Sequence, residues 1–349
     1  MYRRTKYEIL IILSQSQSFE PFNNGYLDVG NGHCLYYEQI GNPSGTPVVF
    51  LHGGPGSGCT PGHRQYFNPD LHRAILYDQR ASGRSTPHGS GDDVDWASID
   101  MDHHISDIEF LRERLGISSW IVFGISWGSI LGATYAERHP ERVTALVLAA
   151  VSTGTEYDVD WLTVHAGRFF PAQWKEFVGH IPPPLRTLRI VDAYNDLLMN
   201  SDSTVRNQAA EAWCKWENAH IATTIASRPN SKFEDPKFRL GFARQVTHCW
   251  RNNNWLHGDQ IVQNAGRLAN IPGWLIHGRL DLSGPLDAPW KIHKAWPNSK
   301  LIIVDDEGHG GIKMVEHWRR ILKDLANVGP MTATPTSRTS EPRQVASAT

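Results

Sequence analysis

Residues 120–138 read Trp-Ile-Val-Phe-Gly-Ile-Ser-Trp-Gly-Ser-Ile-Leu-Gly-Ala-Thr-Tyr-Ala-Glu-Arg. The pattern changes halfway. Trp120 to Phe123 is a continuous apolar run, the mark of a strand buried on both faces. From Ser129 to Arg138 the spacing becomes helical. Between the two stands Gly124-Ile125-Ser126-Trp127-Gly128, a G-x-S-x-G sequence at a predicted strand-to-helix turn. A serine at so sharp a turn has a strained backbone, and glycines two positions to either side clear space for it. The helix that follows aims its first backbone N–H groups at any negative charge developing beside that serine. Ser126 is therefore the candidate nucleophile.

Outward from this turn the same alternation repeats. Pro47 to Leu51, Ala74 to Tyr77, Val143 to Val151, Trp274 to His277 and Leu301 to Val304 are further apolar runs, and Ser106 to Leu115 is a second helical stretch. Strands alternating with helices predict a mostly parallel, doubly wound α/β sheet. Residues 152–268 break the alternation. They are rich in Trp, Phe and helix formers, carry the triple proline Pro182-Pro183-Pro184, and read as a helical cap inserted between two sheet strands. The expected organisation is an N-terminal arm (1–25), a first part of the core (26–151), the cap (152–268), a second part of the core (269–328) and a disordered Thr/Ser/Pro/Ala tail (329–349).

Composition excludes several classes. The chain has 349 residues, 40% hydrophobic and 20% charged, with a formal net charge of -2. Such balance gives no electrostatic case for nucleic acid or an anionic membrane as partner. The apolar run Ile9 to Leu13 is too short for a signal peptide or a membrane span, so a cytoplasmic location is expected. Cys34, Cys59, Cys214 and Cys249 are widely spaced and read as free thiols. No metal or organic cofactor is implied.

A serine hydroxyl needs a base. Downstream of Ser126, Asp281 lies in His277-Gly278-Arg279-Leu280-Asp281 and His309 in Glu307-Gly308-His309-Gly310, each just past a late strand. Ser, then acid, then His is a chain order known for such turns. His309 is the candidate base and Asp281 its orienting acid, with Asp305 or Asp306 as fallback acids. His52-Gly53-Gly54-Pro55-Gly56 follows an early strand, and Gly54 N–H together with Trp127 N–H form the candidate oxyanion hole. Asp78-Gln79-Arg80-Ala81-Ser82-Gly83-Arg84-Ser85 reads first as a structural Asp/Arg network and second as a loop supporting the oxyanion region.

Several of these pieces occur together in one family. His52–Gly56, Asp78–Ser85, Gly124–Ser129, His139-Pro-Glu-Arg-Val143, Trp213-Cys-Lys-Trp-Glu217 and His277–Asp281 resemble the proline iminopeptidases over about residues 20–328. The resemblance implies an α/β-hydrolase fold and an exopeptidase that releases N-terminal proline from short peptides. It also implies that Glu217 pairs with the substrate's amine and that Trp250 lines the prolyl pocket. Three features depart from the family: Val246 stands where a second glutamate is usual, Ile125 where a glycine is, and Ala81-Ser82 where Gly-Cys or Gly-Ala is. The expected function is a serine aminopeptidase acting through Ser126, Asp281 and His309. The alternatives are a broader aminopeptidase, amidase or esterase, or a ligand-binding protein on the same fold. Oligomeric state is not legible.

Overall fold

The structure, a computed structural model, describes residues 20–221, 223–224 and 229–328. Most of the expected arm and the whole expected tail lie outside these residues. Eight strands form one sheet in the order β1-β2-β4-β3-β5-β6-β7-β8. They are β1 (Asn23–Asp28), β2 (Cys34–Gly41), β3 (Thr46–Leu51), β4 (His72–Tyr77), β5 (Trp120–Ile125), β6 (Val143–Ala149), β7 (Gly273–Gly278) and β8 (Ser299–Val304). β2 pairs antiparallel with both β1 and β4, and every other pairing is parallel. The six apolar runs of the sequence are β3 to β8. β3 to β7 sit in the sheet interior, where both faces are covered, which is why they read as continuous rather than alternating, while β8 at the sheet edge is half-buried through Leu301, Ile302 and Ile303.

β1 and β2 carry no such signal. β1 begins at Asn23, inside the stretch read as an arm, and its polar residues face solvent at the sheet edge. β2 buries a glutamate, Glu38, which Arg64 and Arg84 neutralise from distant parts of the chain at 2.9 and 3.1 Å. A local pattern cannot report partners 26 and 46 residues away.

Helices cover both faces of the sheet. α1 (Met101–Arg114) and α2 (Trp127–Arg138) lie between the strands on either side of β5 in sequence. Between β6 and β7 the described chain is helical: α3 (Glu156–Thr163), α4 (Pro171–Gly179), α5 (Ile190–Leu198), α6 (Ser203–Ile221), α7 (Pro236–Arg251) and α8 (Gln260–Asn264). α9 (Asp287–Ala295) and α10 (Ile312–Val328) follow β7 and β8. The two sheet faces each have an apolar cluster, and α4 to α7 share a third of their own. Phe177 sits at its centre, stacked between Tyr194 (4.6 Å between ring centroids) and Trp216 (5.3 Å). Arg80, after β4, is fully buried against Asp107 of α1 at 2.7 and 2.8 Å, and Arg80 also donates to Val29 O.

Candidate active site

Ser126 joins β5 to α2 with φ 57° and ψ −122°, a conformation β-carbon-bearing residues seldom adopt. The flanking glycines make it feasible. A β-carbon on Gly124 would lie 2.0 Å from Gly128 O, and one on Gly128 would lie 2.0 Å from Leu51 O. Both obstacles are backbone, so neither can yield. The turn is anchored by Ser126 N donating to Ala149 O at 2.9 Å and Ser129 N to Ser126 O at 2.7 Å.

The loops after β7 and β8 bring Asp281 and His309 to this serine. His309 Nε2 is 3.0 Å from Ser126 Oγ, and His309 Nδ1 is 2.8 Å from Asp281 Oδ2. Asp281 is buried, and its other oxygen accepts from Ser283 N and Gly284 N at 2.9 and 3.1 Å. An ionised Asp281 accepts on both oxygens, so Nδ1 of His309 carries the proton and Nε2 faces the serine hydroxyl. Burial alone would lower the His309 pKa. The charge and hydrogen bond of Asp281 outweigh burial, Glu217 adds to them, and the net effect raises it. For Asp281, burial pushes upward, but the charge and hydrogen bond of His309 hold the carboxyl below its usual range. Asp305 and Asp306, the fallback acids, are exposed and pair with Arg279 and Lys313 instead.

His277 also lies close to Asp281, at 3.6 Å. Its Nδ1 accepts from Val151 N at 3.0 Å, so Nε2 holds the proton and donates to Gly284 O at 2.6 Å. Burial lowers its pKa. It is a neutral strut between the β6 and β7 loops.

Trp127 is the first residue of α2, where a backbone N–H has no intrahelical acceptor. Gly53 passes so near Ser126 that a β-carbon there would be 3.1 Å from the serine's own. Gly54 has φ +114°, and a β-carbon would lie 2.6 Å from Gly56 N. Gln79 braces this region: it donates to His52 O at 3.0 Å and accepts from Trp127 Nε1 at 2.9 Å, while its N–H meets His52 Nε2 at 3.1 Å. Asp78 takes hydrogen bonds from Cys59 N, Arg84 N and Arg84 Nε at 2.6 to 2.9 Å. The segment is thus a structural network that also ties down the loop beside the serine, the role that its other reading gave it. Its signal was a glutamine between two charged residues directly after a strand.

A cavity of about 220 Å³ opens over Ser126 and His309. Gly53, Gly54 and Trp127 line it from the sheet side, and Glu217, His220 and Trp250 from the inserted helices. Glu217 is buried, and burial pushes its pKa up to about 7 against the lowering pull of Trp213 and His309. Trp213 Nε1 donates to Glu217 Oε1 at 3.1 Å. Trp250 packs edge-on against Trp213 at 5.8 Å. Val246 is fully buried in the apolar cluster of the inserted helices. Asp158 also borders the cavity, but one of its oxygens is held by Ser152, Thr153 and Gly154. His220, one helical turn after Glu217, was not singled out from the sequence; the i, i+3 spacing on one helix face was the available signal.

Among the described residues, no cluster of three or more His, Cys, Asp or Glu side chains could hold a metal ion. The four cysteines are free. No described helix is long and apolar enough to cross a membrane.

Sheet, elbow and connecting helices define an α/β hydrolase, and the alpha/beta hydrolase fold family matches residues 46–313. Solved structures agree on the fold: bromoperoxidase from Bacillus anthracis superposes with a TM-score of 0.58 at 20% identity, covering 88% of this chain and 100% of that one. Proline iminopeptidase from Mycobacterium smegmatis superposes with a TM-score of 0.57 at 17% identity, covering 88% and 98%. Sequence relatives narrow the class. A probable proline iminopeptidase of Streptomyces coelicolor is 45% identical over 304 residues, 85% of this chain and 93% of that protein. Proline iminopeptidases of Neisseria gonorrhoeae (42%, covering 83% and 91%) and Arabidopsis thaliana (41%, covering 83% and 76%) are also similar. The chain belongs to the proline iminopeptidase family of α/β hydrolases.

Proposed function

We propose that this chain is a serine exopeptidase that releases N-terminal proline from short peptides through an acyl-enzyme on Ser126. The observation that carries the reading is His309 bridging Ser126 and Asp281 in a cavity that also contains the buried carboxyl of Glu217. Ser126 Oγ attacks the prolyl carbonyl as His309 Nε2 takes its proton. Asp281 steadies the imidazolium. The tetrahedral oxyanion meets the N–H groups of Gly54 and Trp127, each worth about 3 kcal/mol of transition-state stabilisation. His309 then returns the proton to the leaving amine. A water, deprotonated by His309, attacks the acyl-enzyme carbonyl and frees proline and Ser126.

Residues 152–268 act as a cap over this site, admitting a chain end and excluding a chain middle. Glu217 pairs with the free amine and Trp250 flanks the pyrrolidine ring. No cofactor takes part in this scheme, and cytoplasmic peptides are its substrates.

The test compares hydrolysis of proline-β-naphthylamide, alanine-β-naphthylamide and N-acetyl-proline-β-naphthylamide. Strong preference for the free prolyl compound supports the reading. The buried Val246 motivates a broader aminopeptidase, amidase or esterase as the rival, and comparable rates on all three would establish it.

A further inference from the structure

His220 lies beside Glu217 on α6, and both are buried in the cavity wall. Its Nε2 is 3.4 Å from Glu217 Oε2. Its Nδ1 is 2.8 Å from Ser283 Oγ, and Ser283 Oγ donates to His220 O at 3.2 Å. That carbonyl is in the last turn of α6, where the regular intrahelical donors run out. A hydroxyl has one proton. With that proton given to the carbonyl, Ser283 Oγ accepts from Nδ1–H, and Nε2 is left with a lone pair. Burial drives the His220 pKa down to about 3, aided by the charge of His309, so the ring stays neutral.

A lone pair facing a carboxylate oxygen calls for a hydrogen-bond donor between or beside them. A protonated N-terminal proline brings two N–H bonds, and burying them requires two acceptors. Glu217 Oε1 already accepts from Trp213. Oε2 and His220 Nε2 are the remaining acceptors on this face of α6, side by side.

Building on the amine-binding role proposed for Glu217, we infer that His220 Nε2 is the second acceptor for the substrate's prolyl ammonium, doing as a neutral nitrogen what a second carboxylate would do from the position of Val246. The clamp then carries one negative charge against one positive charge, with no excess to desolvate. Ser283 acts as a positioning residue. It sets the tautomer of His220, and its N–H bonds Asp281, so the amine clamp and the triad share one loop.

The experiment measures kcat/KM for proline-β-naphthylamide relative to cyclopentanecarbonyl-β-naphthylamide, which keeps the ring and lacks the amine. His220→Leu lowers this ratio about ten- to hundredfold, mostly through KM for the prolyl compound, the usual loss for a hydrogen bond to a charged group. His220→Gln, whose amide oxygen is an acceptor, restores most of it. Ser283→Ala, which keeps the imidazole but frees its proton to move to Nε2, lowers the ratio as well. A ratio unmoved by His220→Leu and by Ser283→Ala, or a Gln variant no better than Leu, overturns the inference. If Glu217→Gln collapses the ratio in that case, Glu217 still reads the amine and only the role of His220 falls. If Glu217→Gln also leaves it unmoved, the amine-binding reading of the cavity falls with it.

Discussion

At the residue scale the site is a set of proton positions. Asp281 fixes the proton of His309 on Nδ1, which leaves Nε2 free for Ser126 at 3.0 Å. Replacing Ser126 by Ala should lower kcat by about 10⁵-fold or more while circular dichroism stays native, since removing a nucleophile of this kind costs rates of that order. A retained rate would move the nucleophile elsewhere. The pH profile gives a second check with a definite sign. His309 must be neutral to accept the serine proton, and its pKa is raised above 6.5, so kcat/KM falls as pH drops through a value above 6.5. Asp281 and Glu217 both raise that pKa, while the neighbouring His220 and His277 are neutral. Glu217→Gln removes one raising charge, so the acid limb should move to lower pH. The profile is best taken with cyclopentanecarbonyl-β-naphthylamide, which has no amine of its own to titrate. A limb that moved upward would contradict the electrostatic coupling of Glu217 to His309.

At the scale of elements, the β5–α2 turn is held by what its neighbours lack. Gly124→Ala puts a methyl 2.0 Å from Gly128 O, and overpacking against backbone costs about 3 kcal/mol, near the top of the usual range. Thermal melting should drop by about 6–12 °C at a few degrees per kcal/mol, with kcat falling too because Ser126 shifts. An Ala variant that melted like the parent would show that the turn relaxes. The inserted helices have a separate apolar cluster, which makes them separately breakable. Phe177→Ala empties the ring stack with Tyr194 and Trp216 at a cost of about 3–5 kcal/mol. Amide exchange should quicken in α4 to α7 before β3 to β8, and KM for the prolyl substrate should rise, since Trp216 precedes Glu217 on α6. Uniform quickening across the sheet would mean one cooperative unit. These same elements explain what the sequence could reveal. β3 to β7 are legible because burial on both faces leaves an unbroken apolar run, β8 because its half-buried Leu301 to Val304 is apolar even at the sheet edge, and the elbow because no side chain fits where Gly124 and Gly128 stand. β1 is illegible because it is largely exposed and buries only Leu27, and β2 because Glu38 is buried on the strength of distant arginines. Ser126, Asp281 and His309 stand at strand ends, where position alone singles them out. Glu217 was reached only through resemblance, and His220 not at all, because a helix face shows its burial only once its neighbours are in place.

Across the whole molecule, buried charge joins parts that are far apart in the chain. Arg80 follows β4, two residues after Asp78 and next to Gln79, the brace of His52 and Trp127. Its guanidinium makes two hydrogen bonds to Asp107 of α1, a third to Val29 O in the β1–β2 turn and a longer one to Ser98 O, with the Arg80 and Asp107 side chains 1% and 2% exposed. Side chains this buried are shielded from bulk solvent that could replace a lost partner. The pair is therefore weak evidence of net stabilisation when intact, yet breaking it strands a buried cation, at a typical cost of about 3–5 kcal/mol. Asp107→Asn keeps the shape and removes the charge, so it isolates this effect. Its urea midpoint should fall by about 1–5 M, from that cost divided by an m-value of about 1–3 kcal/mol/M, with m unchanged. Because Gln79 is the adjacent residue, kcat should fall as well, by a smaller factor than for Gly124→Ala, which displaces the serine itself. A variant with the parent midpoint would mean that Arg80 reaches solvent through local motion. The loop beside the serine would then be held by the Asp78 and Gln79 contacts alone, and the link from the sheet edge to the site would not be energetic.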